Sequence, residues 1–354
     1  MAAVQLTGHG GFETLRYRED VPVPRAGPGE VLIRVQAAGI NNTDINTRIG
    51  WYASDRTGST DEAGASAQPA PAKGDWSGAG LKFPRIQGAD ASGTIVAVGE
   101  GVASSRIGER VIVQGCLRSL TRDNITPWLG SERDGAFAQF VAAPAADTYA
   151  VRADLSDEQL AAVPCGYGTA ENLLTRAGVR SGERVLITGA SGNVGIAAVQ
   201  LAKLRGAEAI AVAAREKFDA MRALGANRCL AREESPLDAL GANSVDVAID
   251  VVGGKQWPAL LQVLKPRGRY AVSGAIAGPR VALDLRPLYL KDLTLFGCTG
   301  QAESVFPNLV SYLERGALVP PVARTYALKD IVAAQEAFLS KRQLGKIVLL
   351  PPKE

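Results

Sequence analysis

Val185-Leu-Ile-Thr-Gly-Ala-Ser-Gly-Asn-Val-Gly-Ile-Ala-Ala-Val-Gln-Leu-Ala-Lys203 is the stretch on which the fold turns. An apolar run ends in closely spaced glycines, and a small-residue helical pattern follows at once. Strand, tight turn and helix in this order build a cradle for a dinucleotide pyrophosphate. Gly192 lets the main chain approach phosphate oxygens, and Gly195 lets the helix pack close to the sheet. Ala190 stands where the fingerprint usually has its first glycine. The amides that open the helix, at Asn193, Val194 and Gly195, sit at the positive end of its dipole and suit an anion. Ala190, Ser191, Gly192, Asn193 and Val194 are therefore expected to touch the coenzyme. The plain alternative is an ordinary strand-to-helix turn that binds nothing.

A second strand-like run, Glu208-Ala-Ile-Ala-Val-Ala213, tests the motif and selects the coenzyme. About 20 residues past the glycines, NAD-binding chains place an Asp or Glu on the ribose 2′-hydroxyl. Here the chain reads Ala213-Ala-Arg-Glu-Lys217, with no acid closing the strand. Arg215 can fork to a phosphate and Lys217 adds a second cation, so NADP(H) is expected over NAD(H). The alternative reading has these charges facing water in the first turn of a helix running to Leu224, with Glu216 as the acid after all.

The 354-residue length predicts two domains. Lysine and arginine number 39 against 36 acidic residues, a net charge of +3 that argues against a dedicated nucleic-acid or membrane-surface protein. No apolar stretch reaches the roughly 20 residues of a membrane span, and the N-terminus has no signal peptide's apolar core. Cys116, Cys165, Cys229 and Cys298 are scattered and include no CxxC pair, which suits free thiols in a reducing cytoplasm.

The first 160 residues read as mostly β, with strands at Glu30–Gln36, Gly93–Val98 and Arg110–Val113 that suggest a small barrel-like domain. Leu155 to about Ala177 reads as helix, with Ser156 and Gln159 spaced as a capping box. From Arg184 strand and helix alternate. Val245–Asp250, Gly268–Ser273 and Leu293–Phe296 are further strands, and Lys255–Leu264 is helix-length. Alternation of this kind means an α/β fold with a parallel sheet covered on both faces. The tail carries helices at Val305–Arg315 and Leu328–Ser340 and a last strand, Lys346–Leu350. Ala53–Leu81 breaks the pattern: it is rich in Ala, Gly, Ser, Asp and Pro, with aromatic anchors at Trp51, Tyr52 and Trp76. A lid beside the substrate and a tolerated surface insertion fit it equally well.

Gly29-Glu-Val-Leu-Ile-Arg-Val, Ala38-Gly-Ile-Asn-Asn-Thr-Asp44, Gly88-Ala-Asp-Ala-Ser-Gly-Thr-Ile-Val-Ala-Val-Gly99, Gly108-Glu-Arg-Val and Gly182-Glu-Arg-Val-Leu-Ile precede the glycine turn in a fixed order. On these motifs the chain resembles the medium-chain dehydrogenase/reductase superfamily over essentially its whole length, and within it the zinc-free quinone oxidoreductase branch. The resemblance implies a GroES-like β-rich catalytic domain over residues 1–160, completed by 301–354, and a doubly wound Rossmann domain for NADP(H) over 161–300. Zinc-dependent members hold their catalytic metal with Cys, His and Cys, and a catalytic zinc needs about three protein ligands. By resemblance Asn41 takes the first position and Ala89 the second, and only Cys165 matches. The sole histidine, His9, lies far off in sequence, and Cys116 stands alone where a structural zinc site would need four cysteines. No metal is expected.

Without a Lewis acid, simple ketones are hard to reduce, whereas conjugate addition of hydride spreads the charge through a π-system. This agrees with the activity that the resemblance implies: NADPH-dependent reduction of quinones or α,β-unsaturated carbonyl compounds. By the same resemblance Tyr52 lines the substrate cleft, Asn41 and Thr169 lie near the nicotinamide, and Lys217 meets the adenosine 2′-phosphate. Arg232 replaces a tyrosine that lies against adenosine. Val252, Ser273 and Gly274 end strands at the sheet's carboxyl edge, and Lys341 or Arg342 reaches toward the coenzyme. Tyr52, Asn41 and Thr43 are the candidate catalytic groups. Packing roles compete with each: a lid anchor for Tyr52, a loop cap for Asn41, a helix cap for Thr169, a solvated helix end for Lys341. Rival functions are an enoyl-thioester reductase, a zinc-free alcohol dehydrogenase, and a coenzyme-sensing protein without turnover. The apolar edge strand Leu293–Phe296 asks for a cover, and a homodimer supplies one.

Overall fold

The computed structural model describes residues 1–53, 55–60 and 80–353. Most of the expected lid, Trp76 included, lies outside the described residues. The chain forms two compact units. One comprises Met1–Arg56, Asp61–Cys165 and Phe306–Glu354, the other Thr57–Thr60 and Gly166–Val305. The chain thus passes from one unit to the other a few residues beyond residues 160 and 300, where the sequence reading draws the borders.

The first unit is built on β1 (Ala3–Leu6), β2 (Leu15–Arg18), β3 (Glu30–Gly39), β4 (Arg85–Ile86), β5 (Ser92–Val98), β6 (Arg110–Val113), β7 (Phe140–Pro144) and β8 (Thr148–Ala150). Along β3, Val31, Ile33 and Val35 point into the core while Arg34 faces out, the period-two signature of a half-buried strand. This strand runs on to Gly39, past the expected end at Gln36, because Ala37 and Ala38 are buried too. Residues Asn42–Arg48, read only as a motif-bearing loop, form a helix whose N-cap is Asn41, with Asp44 completing a capping box. The helix expected over Leu155–Ala177 is two: Asp157–Leu160, with the capping box of Ser156 and Gln159, and Pro164–Arg176. Pro164 at a first helical position explains the restart, since proline has no N–H to donate.

In the second unit the strands are β9 (Arg184–Ile187), β10 (Glu208–Ala213), β11 (Arg228–Ala231), β12 (Val245–Asp250), β13 (Leu264–Val272) and β14 (Thr294–Gly297). They form one parallel sheet in the order β11-β10-β9-β12-β13-β14. That is the doubly wound Rossmann order, which reverses direction between β9 and β12. The glycine turn follows β9, at this switch point.

Two strands after the second unit belong to the first: β15 (Val322–Ala327) and β16 (Lys346–Leu350). β16 pairs antiparallel with β3 through Val348–Gly39 and Leu349–Ala38, so the end of the chain lies beside its beginning. The tail helix read over Leu328–Ser340 is a 3₁₀ turn, Leu328–Asp330, followed by the helix Ile331–Leu339. Leu328, Ile331 and Ala334 complete a core with Val31, Ile33, Leu117 and Phe137.

Phe137 is fully buried in that core. Phe137→Ala is expected to cost about 3–5 kcal/mol, measured as a lowered midpoint in urea denaturation.

Candidate active site

At the carboxyl edge of the second unit's sheet, Gly189 turns the chain with φ +57° and the Ala190 amide donates to the Val212 carbonyl at 3.0 Å. Gly192 caps the helix Asn193–Leu204 with no side chain of its own and is exposed. A Cβ on Gly195 would collide with the Gly189 carbonyl oxygen and the Ala190 Cα, so only glycine lets the helix start this close to the turn. Backbone amides at a bare helix N-terminus fit a pyrophosphate. Ala190 itself is buried, whereas Ser191, Asn193 and Val194 are half-exposed around the turn.

One carboxylate fixes this edge. Asp250, fully buried at the end of β12, accepts from Thr188 Oγ1 at 2.5 Å, Tyr270 Oη at 2.6 Å, and the amides of Val252 at 2.9 Å and Gly253 at 3.1 Å. The strand before the glycine turn and the loop holding Val252 are thereby tied to one group. Burial and the Asp250 charge raise the Tyr270 pKa, keeping that hydroxyl a donor. Ser273 donates its amide to the Asp250 carbonyl at 3.2 Å, and Gly274 packs against the Val251 carbonyl. Thr169 lies inside the helix Pro164–Arg176 and half-exposed. A cap role for it is therefore corrected: the helix begins five residues earlier, at Pro164.

Arg215–Lys217 form a 3₁₀ turn just past β10 that leads into the helix Phe218–Leu224. Arg215 pairs with Glu234, and Arg232 lies 3.4 Å from Glu233. Burial, and then the Arg232 charge, lowers the Lys217 pKa.

The first unit holds a second polar centre, buried from solvent. Asn41, Asp44, Asp90 and Lys346 are all buried. Lys346 Nζ lies 2.5 Å from Asp90 Oδ2 and donates to Asn41 Oδ1 at 2.6 Å. Asn41 Nδ2 donates to Asp90 Oδ2 at 2.8 Å and to the Gly39 carbonyl at 3.3 Å, and the Asn41 amide donates to Asp44 Oδ2 at 2.7 Å. The Cys165 amide donates to Asp90 Oδ1 at 2.6 Å. Asn41 is thus held on every side. Burial above all, then the Asp90 charge, pushes the Asp44 carboxyl up to about 7, against the pull of the Asn41 amide and of Lys346.

Tyr52 is half-buried nearby in the same unit, and its hydroxyl donates to Thr43 Oγ1 at 3.1 Å. Burial raises the Tyr52 pKa, so the phenol keeps its proton at neutral pH. Lys341 stands over the Phe338 ring at 4.5 Å with Nζ 3.4 Å from Asn42 Oδ1. His9 donates through Nδ1 to the Thr47 carbonyl at 2.8 Å.

Each unit therefore gathers its own share of the expected residues. The residues do not fit a catalytic zinc. Ala89 offers no donor atom, both Asn41 amide hydrogens and its oxygen are engaged within the protein, and Cys165 supplies one thiol. Among the described residues no group of three or more His, Cys, Asp or Glu could hold a metal ion. Asp90, Lys346 and Glu234 were not singled out as site residues from sequence, whereas Asp250 was read as closing a strand at the ligand-binding edge, without its four donors. A lysine inside the apolar strand Lys346–Leu350, and an Asp ending the apolar strand Val245–Asp250, were the available signals.

Removing the ammonium strands a buried carboxylate, so Lys346→Met is expected to destabilise the protein by about 3–5 kcal/mol, read by chemical denaturation. Asp44 binds its proton more tightly folded than unfolded, because its pKa rises from 3.8 to about 7. Its contribution to stability is complete below about pH 4 and is lost as pH climbs through about 7. Thermal melts of wild type and Asp44→Asn between pH 5 and 8 should show that part of the decline with rising pH only in wild type.

The comparisons agree with this geometry. Residues 27–153 match the alcohol dehydrogenase GroES-like domain and residues 193–315 match the zinc-binding dehydrogenase family. A solved alcohol-dehydrogenase-type protein of Sinorhizobium meliloti is 44% identical with a TM-score of 0.88, over 99% of this chain and 97% of its own. A mycobacterial protein solved with NADPH is 27% identical with a TM-score of 0.78, over 99% and 100%. Quinone oxidoreductase of Rattus norvegicus is 28% identical over 99% of this chain and 98% of its own. Acryloyl-coenzyme A reductase of Metallosphaera sedula is 29% identical over 99% of both. No described helix is long and apolar enough to cross a membrane. With a glycine turn at the switch point of a Rossmann sheet and a GroES-like unit completed by the chain's end, the protein belongs to the medium-chain dehydrogenase/reductase superfamily, as a quinone oxidoreductase-like NAD(P)-dependent oxidoreductase.

Proposed function

We propose that the protein reduces quinones or α,β-unsaturated carbonyl compounds with NADPH and without zinc. The observation that carries this reading is that Asn41, at the first ligand position of zinc-dependent relatives, is locked by Asp90 and Lys346, while Ala89 at the second offers no donor atom. A conjugated acceptor suits such a site because its π-system takes up the charge that a metal would otherwise receive. Bound NADPH supplies a hydride from nicotinamide C4 to the electrophilic carbon of the acceptor. Tyr52 holds a proton at Oη and donates it toward the substrate oxygen, Thr43 orients the phenol, and the phenolate then takes a proton from solvent. Asn41 is a positioning group, locked by Lys346 and Asp44.

Coenzyme contacts are assigned to Ala190, Ser191, Gly192, Asn193 and Val194 at the pyrophosphate, and to Arg215, Lys217 and Arg232 at the 2′-phosphate. Thr169, Val252, Ser273 and Gly274 are assigned to the nicotinamide half. Similarity to the M. sedula reductase supports an acryloyl thioester as a further acceptor, since its double bond is activated in the same way. The protein is taken to act as a cytoplasmic homodimer. β14 is the sheet's edge, and Leu285, Tyr289 and Leu290 beside it expose 61%, 64% and 70% of their surface, an apolar face that a second copy would cover.

NADPH oxidation is expected with 1,4-quinones and enones and unchanged after dialysis against a chelator. Tyr52→Phe should lower kcat by about 100-fold with little change in NADPH affinity. Coenzyme binding without turnover of any acceptor would instead identify a sensor.

A further inference from the structure

We propose that Glu234 sets how strongly the protein prefers NADPH over NADH, by engaging the guanidinium that the 2′-phosphate would claim. The proposal rests on the coenzyme reading above. Arg215 stands two residues past the end of β10, the strand whose carboxyl end meets the adenosine ribose in this fold. Its Nη2 is held by the Glu234 carboxylate. Glu234 is itself fixed at the end of β11: its amide donates to the Ala231 carbonyl at 3.0 Å and its Oε2 accepts from the Ala231 amide at 3.3 Å. The pair therefore bridges the ends of two adjacent strands rather than two floppy side chains.

The rest of the rim is balanced in the same way. Arg232 donates its amide to the Ala213 carbonyl at 3.0 Å, and its guanidinium lies 3.4 Å from Glu233. Glu216 follows Arg215 and opposes the effect of Arg232 on Lys217. Among the described residues three cations thus share the rim with three carboxylates, and of these carboxylates Glu234 engages the strand-end arginine directly. A guanidinium fork offers the same N–H edges to a carboxylate and to a phosphate, so the two compete. NADH leaves the pair intact. NADPH must part it or share it.

Magnitude decides what this can do. Side-chain exposure is 66% at Arg215 and 38% at Glu234. Exposed ion pairs contribute little, so Glu234 modulates the preference and does not reverse it.

The test is equilibrium binding of NADPH and NADH, each titrated by calorimetry into wild type, Glu234→Gln, Arg215→Met and the double variant. Thermal melts of each check folding. Glu234→Gln is expected to tighten NADPH about three- to fivefold and to leave NADH within about twofold. In the Arg215→Met background that gain should disappear. Unchanged or weaker NADPH binding by Glu234→Gln would overturn the proposal, and so would an equal gain with Arg215 absent, which would make Glu234 a directly repelling charge. If wild type binds NADH more tightly but Glu234→Gln still improves NADPH alone, the NADPH assignment falls while the competition stands. Binding of neither coenzyme to wild type would sink both.

Discussion

A single ammonium group holds the first unit's polar centre in place. Lys346 reaches Asn41 across 305 residues of chain and finds Asp90 in the same pocket. Taking a charge out of water costs several kcal/mol, and only close opposite charge and complete hydrogen bonding offset it. That demand constrains everything around it. β16 must return beside β3 in register, the helix after Asn41 must start where its capping box allows, and the Cys165 amide must close the remaining oxygen of Asp90. The helix that carries Thr43 is therefore set by strands drawn from both ends of the first unit.

The second unit solves a related problem with the opposite charge. Asp250 is a buried carboxylate satisfied by two hydroxyls and two backbone amides. Such a group is stable only while all its donors stay, so it binds the strand leading to the glycine turn to the loop at Val252. The outer rim is different in kind. Arg215, Glu234, Arg232 and Glu233 lie in high dielectric, where pairs are weak and exchangeable. A rigid interior thus stands beside a soft, exchangeable rim.

Much of this was legible in the residues. The glycine turn, β10, β12 and β16 all lie where local periodicity places them, because strand and helix patterns are short-range. Boundaries moved where tertiary packing overrode the local pattern: β3 extends over Ala37–Gly39 because their neighbours bury them, and Pro164 divides one expected helix into two. Arg215 and Lys217 were identifiable as cations past a strand, but the carboxylate that meets Arg215 comes from the next strand's end and could not be paired with it from spacing.

The sequence by itself determined the parallel α/β unit and the dinucleotide turn, since each depends on residue type within a few positions. Only the tertiary structure decided that Lys346 serves Asn41 and Asp90, that Asp250 ties the strand before the glycine turn to the Val252 loop, and that Glu234 pairs with Arg215. Those pairings join residues far apart in the chain or on separate strands. Charge and burial select them from many possible partners, and that selection exists only once the strands are in register.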